Sequence, residues 1–420
     1  MSASPLLDLR PKVRPELRFA RPLRRGAAEV HLVRDPAGGR QLEIGAKEHF
    51  IIARLDGTRS LAEIGEQYAV RFRARLGEPQ WQQMLGLLYT RGLLADAPAP
   101  APRRAEEPAR STVLAGRVRM VSDAPALLDR LHLATGFARR RRFLLPLLTL
   151  VAALLAGVAA DLGTLTDETV RLSGNPVALL AVGTLLWASL ALHELAHGLV
   201  GRAFGGRVGE IGLRWVLPMS YLYCEVEDVR FFARRREQIA TAMAGAVMNL
   251  VFLLPFYPAW LLLPADAQAR PFLGALLLLG TAVALGNLLP LPPLDGYKAL
   301  GYALDCLQLA TESRRFTVLL ARAAVRRDAG ALRGYPVRLR LVYGGYALGC
   351  ALLAAGLLAA LGLLLAARFG RLAGCLPALA VLAALALWAG GRAVRAHRAR
   401  RAHGAGDEMS ARRESTDEHR

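Results

Sequence analysis

The sequence predicts a mainly α-helical fold: a polytopic membrane helix bundle of about six transmembrane helices, preceded by a small N-terminal α+β domain of winged-helix character. Three observations carry this expectation. Of the 420 residues, 54% are hydrophobic, and from about residue 143 they gather in long, nearly uncharged runs. The first hundred residues instead show short alternating and helical periods, punctuated by Asp-Gly and Pro. Finally, much of the formal net charge of +20 sits at the borders of the apolar runs, in Arg139 to Arg142, Arg234 to Arg236, between Arg314 and Arg340, and after Arg392. This is the positive-inside pattern, which accounts for that charge without nucleic acid, and no nucleic-acid partner is expected.

Within the first domain, residues 1–94, the stretch Val30 to Ile44 partly alternates around Asp35-Pro36-Ala37-Gly38-Gly39 and reads as a β-hairpin. A short helical period, Lys47 to Leu55, ends at Asp56-Gly57, and Ser60 to Leu76 opens with a capping box, Ser60 to Glu63. Pro79 then starts a helix running to Leu94, with Trp81, Met84, Leu85, Leu88 and Leu94 on its inner face. Met1 to Arg18 has no apolar core of the kind a cleaved signal peptide needs, so this domain is expected in the cytoplasm.

Residues 95–116, with Ala97-Pro98-Ala99-Pro100-Ala101-Pro102, read as an extended linker, because repeated Pro-Ala propagates neither helix nor sheet. The first domain is therefore expected to be tethered rather than packed. Residues 117–142 form a basic juxtamembrane segment. Six apolar segments follow, Phe143 to Ala160, Pro176 to Phe204, Gln238 to Leu263, Pro271 to Leu300, Val342 to Ala366 and Leu376 to Trp388. They divide into a core at 143–304, a basic cytoplasmic loop at 305–341 and C-terminal helices at 342–390, before a basic tail at 391–420.

The acidic loop Asp161 to Asn175 belongs outside, opposite Arg139 to Arg142, which puts both termini inside a multi-pass cell membrane protein. Gly345 and Gly349 have the spacing of a close helix crossing. The four cysteines show no CxxC spacing, which argues against structural disulfides and excludes a cysteine-rich metal site.

The chemistry-bearing stretch is Ala191-Leu192-His193-Glu194-Leu195-Ala196-His197-Gly198, inside the second apolar segment. On a helix His193 and His197 lie one turn apart on one face, so both imidazoles can reach one metal ion at roughly 2 Å. Glu194 then stands beside the metal, where a general base takes a proton from a metal-bound water. Ionisable side chains are costly at membrane depth, so three within five residues need a shared purpose.

A catalytic zinc usually takes three protein ligands. The only carboxylate well inside another apolar segment is Asp295, in Gly286-Asn287-Leu288-Leu289-Pro290-Leu291-Pro292-Pro293-Leu294-Asp295-Gly296. Prolines break the helix there and free the chain to turn Asp295 toward the metal. The orientation count places His193 and Asp295 near the same, cytoplasmic, end.

Two resemblances follow from these residues. Leu55-Asp56-Gly57-Thr58-Arg59-Ser60-Leu61-Ala62-Glu63-Ile64, closed by Leu87 to Leu94, is similar to the PqqD-like domains that hold precursor peptides of ribosomally made, modified natural products. The resemblance implies a peptide added as a strand to the hairpin sheet, beside the alternatives of an uncommitted structural domain and a DNA-binding winged helix. HELAH followed by Asn-Leu-Leu-Pro-Leu-Pro-Pro-Leu-Asp-Gly resembles the site-2 protease (M50) family of intramembrane zinc metalloproteases over about Phe143 to Leu304. That resemblance implies a Zn²⁺ cofactor on His193, His197 and Asp295, and Glu194 as catalytic base.

Ala244-Gly245-Ala246-Val247-Met248-Asn249-Leu250 matches the family's intervening motif, with Ala246 where proline is usual. Asn249 is placed either to donate to a substrate carbonyl or oxyanion or to bond another helix, and Asn287 is a further candidate substrate or oxyanion contact. Pro218 to Asp228 resembles the extended stretch after HExxH in the peptide-maturation branch, where an edge strand could hold substrate. The three-ligand set leaves no need of Cys224 or Glu225 as ligands.

The implied activity is cleavage of a peptide or membrane-associated precursor near the cytoplasmic face, in maturation or export of a ribosomally made peptide. The lipid bilayer and an export transporter or adaptor are the implied partners. The rival reading is a non-proteolytic membrane module that binds peptide and hands it to an export system.

Overall fold

The computed structural model describes residues 5–35, 40–97, 112, 114–121, 123–216, 219–327 and 330–381. By internal contacts the chain divides into a first unit running through Gly344 and a second from Gly345 onward.

The first domain is built on β1 (Arg18–Phe19), β2 (Leu23–Arg25), β3 (Ala28–Asp35) and β4 (Arg40–Gly45), all antiparallel to the central β3. The turn expected at residues 36–39 lies outside the described residues. Three helices cover the sheet: α1 (Ala46–Ile52), α2 (Leu61–Phe72) and α3 (Glu78–Thr90). The capping box at α2 is formed as expected: Ser60 Oγ accepts from the Glu63 N–H at 3.2 Å and Glu63 Oε2 from the Ser60 N–H at 2.9 Å. The third helix ends four residues before the expected Leu94.

Strand β3 is buried on both faces. Val33 faces the helices with Ile51, Leu61, Ile64, Trp81 and Leu88, whereas Val30 and Leu32 pack with Leu23, Leu307 and Phe231. The expectation of a tethered domain is therefore corrected, since its second sheet face is covered by residues of the later chain. Backbone bonds fix this join, Arg24 N–H to Asp305 O at 2.7 Å and Leu307 N–H to Arg24 O at 2.8 Å. Arg34 adds ion pairs to Glu227 and Asp228. The Pro-Ala run at 98–111 lies outside the described residues.

Then follow β5 (Ala115–Arg119), α4 (Ala124–Ala134), α5 (Arg141–Ala160), α6 (Leu162–Leu172), α7 (Pro176–Ala203), β6 (Val208–Val216) and β7 (Met219–Val226). Residues 115–119, expected partly in the linker and partly in the basic approach, instead pair with β6, giving a second sheet of order β5-β6-β7. The stretch expected as an outer loop, 161–175, is mostly the helix α6, because Leu165 and Leu172 present one apolar face to the bundle. Its Glu168 is buried and accepts from Trp260 Nε1 at 2.7 Å and Arg270 Nε at 3.0 Å.

The rest comprises α8 (Arg235–Leu253), α9 (Phe256–Leu262), α10 (Arg270–Gly286), α11 (Asp295–Ala303), α12 (Leu309–Arg326), α13 (Gly330–Arg333), α14 (Val337–Phe369) and α15 (Arg371–Gly374). The expected third segment bends at Pro255, and the fourth is broken between Gly286 and Asp295, where Pro290, Pro292 and Pro293 stop the helix. The expected basic loop 305–341 carries α12, whose Leu309, Glu312, Ser313 and Phe316 make one buried face.

Among the described residues four helical stretches are long and apolar enough to cross a membrane: Arg141–Ala160, Pro176–Ala203, Arg235–Leu262 and Val337–Ala367. Arg270–Gly286, from the expected fourth segment, is apolar but shorter, and the expected sixth segment, Leu376 to Trp388, lies outside the described residues beyond Val381. In the second unit, Gly345 and Gly349 have no neighbour within reach of an added Cβ, so neither makes a close crossing among the described residues. The expected tail at 391–420 lies outside those residues.

The first domain buries a pair of imidazoles. His31, on β3, is 5% exposed and stacks on His49 of α1 with ring centroids 3.6 Å apart. Burial pushes both imidazoles below their usual range, and for His49 the neighbouring His31 adds to the effect. The unfolded chain thus binds protons that the folded domain refuses. The stability gained is fully present above the ordinary imidazole pKa and is lost as the pH falls through the lower folded values. The hydrogen-exchange protection factor at Ala28–Asp35, corrected for the intrinsic pH dependence of exchange, is expected to fall as the pH drops below about 6.5, and His49→Phe, which keeps an aromatic ring in the stack, to flatten that dependence.

Candidate metal centre

Helix α7 presents His193, Ala196, His197, Gly198 and Gly201 on its buried side, as the spacing of the two histidines requires. The break after α10 lets the chain turn back, so that Asp295 opens α11 with its carboxylate at the positive end of the new helix. The three side chains converge. His193 Nε2 and His197 Nε2 lie 3.1 Å apart, and each is 3.0 Å from Asp295 Oδ2. Their residues are only 4%, 8% and 3% exposed. Among the described residues this is the group of metal-ligating side chains close enough to share one ion.

The donor set fits zinc. Two imidazoles and a carboxylate form a three-ligand catalytic type, and donors held about 2.0–2.2 Å from a tetrahedral ion stand about 3.3–3.6 Å apart. The observed triangle needs an expansion of only a few tenths of an ångström. His197 and Asp295 are also oriented from behind, whereas His193 Nδ1 is buried without a hydrogen-bond partner among the described residues. His197 Nδ1–H donates to the Thr241 carbonyl at 2.7 Å, which leaves Nε2 free as a ligand atom. Lys298 Nζ donates to Asp295 Oδ1 at 2.8 Å, so that Oδ2 alone faces the histidines. Asn287 Nδ2 reaches Asp295 Oδ2 at 2.9 Å and His193 Nε2 at 3.3 Å, and its backbone carbonyl accepts from Gly296 N–H at 2.9 Å.

Helix α8 closes the site from the other side, and Gly245 makes that approach possible. A Cβ there would collide with the His193 ring and with His197 Nε2. One turn further along the same face is Asn249, 3% exposed, whose amide nitrogen and oxygen both lack partners among the described residues. An unsatisfied buried amide costs free energy, so its retention asks for a ligand. Of Asn249's two sequence-level alternatives, this arrangement contains no bond to another helix. Asn287, by contrast, braces the ligand atoms themselves.

Glu194 is half-buried beside the triangle, and its Oε2 accepts from the Cys224 N–H of β7 at 3.1 Å. Among the described residues strand β7 pairs on one side only, with β6. Its outer side runs along α7, where Ser220 O accepts from Trp187 Nε1 at 3.3 Å. By the alternation of an antiparallel ladder, Leu222 turns its N–H and C=O outward between those two contacts. Burial, reinforced by Glu194, pushes the Cys224 thiol up to about 12. Gly245, the Thr241 carbonyl and Lys298 escape sequence reading. Only Lys298 leaves a signal, as a cation one turn after Asp295.

Gly245→Ala is expected to lower zinc occupancy of the purified protein at least tenfold with helical content unchanged, as read by metal analysis and circular dichroism. Asn249→Leu is expected to raise thermal stability by about 1–3 kcal/mol, because it removes an unsatisfied buried amide.

No protein-family profile matches the chain, and no solved structure matches it. A protein from Synechocystis sp. that carries the name "Putative zinc metalloprotease" is 33% identical over 128 residues, which is 30% of this chain. The match spans 32% of that protein, so the chain covers about a third of the curated relative's length. The chain is thus distantly similar to a protein named for zinc-dependent proteolysis, and its buried His-His-Asp triangle could hold the metal that such a name requires.

Proposed function

We propose that this chain is an intramembrane zinc metalloprotease of the site-2 type, cleaving a peptide or membrane-associated precursor near the cytoplasmic face. The observation that carries the reading is the buried triangle of His193, His197 and Asp295 with Glu194 alongside, on a chain with four helices able to span a bilayer. When bound, zinc supplies a Lewis acid that polarises a carbonyl and brings the pKa of water to about 7. The chain's own groups do the rest. Glu194 takes the proton from the attacking water and returns it to the leaving amine. Asn249 offers its unpaired amide N–H to the carbonyl oxygen as negative charge develops there. The outward N–H and C=O of Leu222 hold the substrate as an added strand, in the extended form that hydrolysis needs.

The first domain fits the role of a PqqD-like peptide holder. Among the described residues strand β4 pairs only with β3, which leaves its other edge for a peptide strand. Because the domain is packed against the loop after α11 rather than swinging on a linker, a peptide held there stays at a fixed distance from the metal centre. That arrangement suits maturation of a ribosomally made precursor, with an export transporter or adaptor as onward partner. Inner-membrane placement with both termini cytoplasmic belongs to the same proposal and rests on the arginine borders of the apolar segments.

Glu194→Gln is expected to retain zinc and lose at least 100-fold in hydrolysis of a co-expressed precursor peptide. Unchanged processing would remove the protease and leave the non-proteolytic peptide-handling module. On the protease reading, Asn249→Leu lowers kcat by about 100-fold while it stabilises the fold, a pairing that a helix-bonding role does not produce.

A further inference from the structure

A cavity of about 320 Å³ lies where the first domain meets the start of α14. Its cationic side is Arg21 and Arg24 from the first domain and Arg338 from the first turn of α14. Its apolar side is Leu304, Leu339 and Val342. The two carboxylates in the wall are already engaged. Asp305 is bound by Arg21 at 2.8 Å and by Arg235, and Glu29 is 3.1 Å from Arg24. Positive charge is left over. Arg21 Nε is buried without a hydrogen-bond partner, and no carboxylate pairs with Arg338 among the described residues. The cavity also abuts the amino end of a 33-residue helix, which favours an anion.

We propose that this cavity binds the headgroup of an anionic phospholipid, a proposal that rests on the membrane reading above. A phosphate would take the free N–H groups of Arg21 and Arg338, which guanidinium geometry suits. The acyl chains would run along Leu339 and Val342, where the apolar length of α14 begins. A small anion uses only the first half of this lining, whereas a lipid uses both. Because the cations come from the first domain and from α14, the lipid also fastens the domain to the helix bundle.

The test uses the full chain in nanodiscs of pure phosphatidylcholine or of phosphatidylcholine with phosphatidylglycerol, with inorganic phosphate added to the neutral discs as a separate arm. Hydrogen exchange at Leu23–Arg25 and Asp305–Leu307 is the readout. Phosphatidylglycerol is expected to slow exchange there, with an apparent affinity that falls about fivefold in Arg338→Gln. Arg24→Gln, which keeps the backbone bonds to Asp305 and Leu307, is expected to show a loss of similar size. Equal exchange in both discs would overturn the site, as would an undiminished lipid effect in both variants. Reproduction by inorganic phosphate would overturn the lipid and leave only a small-anion site. Recovery of the chain in the soluble fraction of cells would overturn the membrane reading itself, whereas an embedded chain indifferent to lipid charge overturns this site alone.

Discussion

The structure depends on bringing two imidazoles and a carboxylate within hydrogen-bond distance of one another in a buried position. Removing such groups from water costs several kcal/mol each, and their mutual contacts offset that only in part. A divalent ion at their centre would supply the missing interaction, and on the proposed reading the surrounding residues are its scaffold. Gly245 lets α8 come close enough to wall in the rings. The proline-rich break releases α11 so that a carboxylate can arrive from a second direction. Thr241 and Lys298 fix which atom of His197 and of Asp295 faces inward.

On the proposed reading, two strand edges are candidates to hold a peptide. The outer edge of β7 borders α7 and Glu194, with the main-chain groups of Leu222 between its two side-chain contacts, and the outer edge of β4 pairs with no strand among the described residues. Neither edge needs specific side chains to grip an extended chain, because main-chain groups provide the contact. What differs is geometry. The first sheet is held to the bundle by backbone bonds at Arg24 and ion pairs at Arg34, so both edges belong to one compact unit.

Much of the site was legible because the chemistry dictates spacing. Two histidines four residues apart have one helical geometry, and a lone acid in an apolar stretch has few reasons to exist. The capping box at Ser60 was equally local. Three features were not legible. α6 and α12 carry enough charge to read as loops, although each buries one face against the bundle. Docking of the first domain depends on β3 being apolar on both faces, which a search for alternation sees only as a weak strand. The role of Gly245 is steric, and its reason lies in rings some fifty residues earlier in the chain.

X-ray absorption at the zinc edge of the purified full-length protein tests the central claim most directly. The account predicts one zinc per chain with a shell of nitrogen and oxygen at about 2.0–2.1 Å, including the outer-shell signature of two imidazoles, and no sulfur. A sulfur shell at about 2.3 Å, or a protein that keeps no zinc while its helices remain intact, would contradict it.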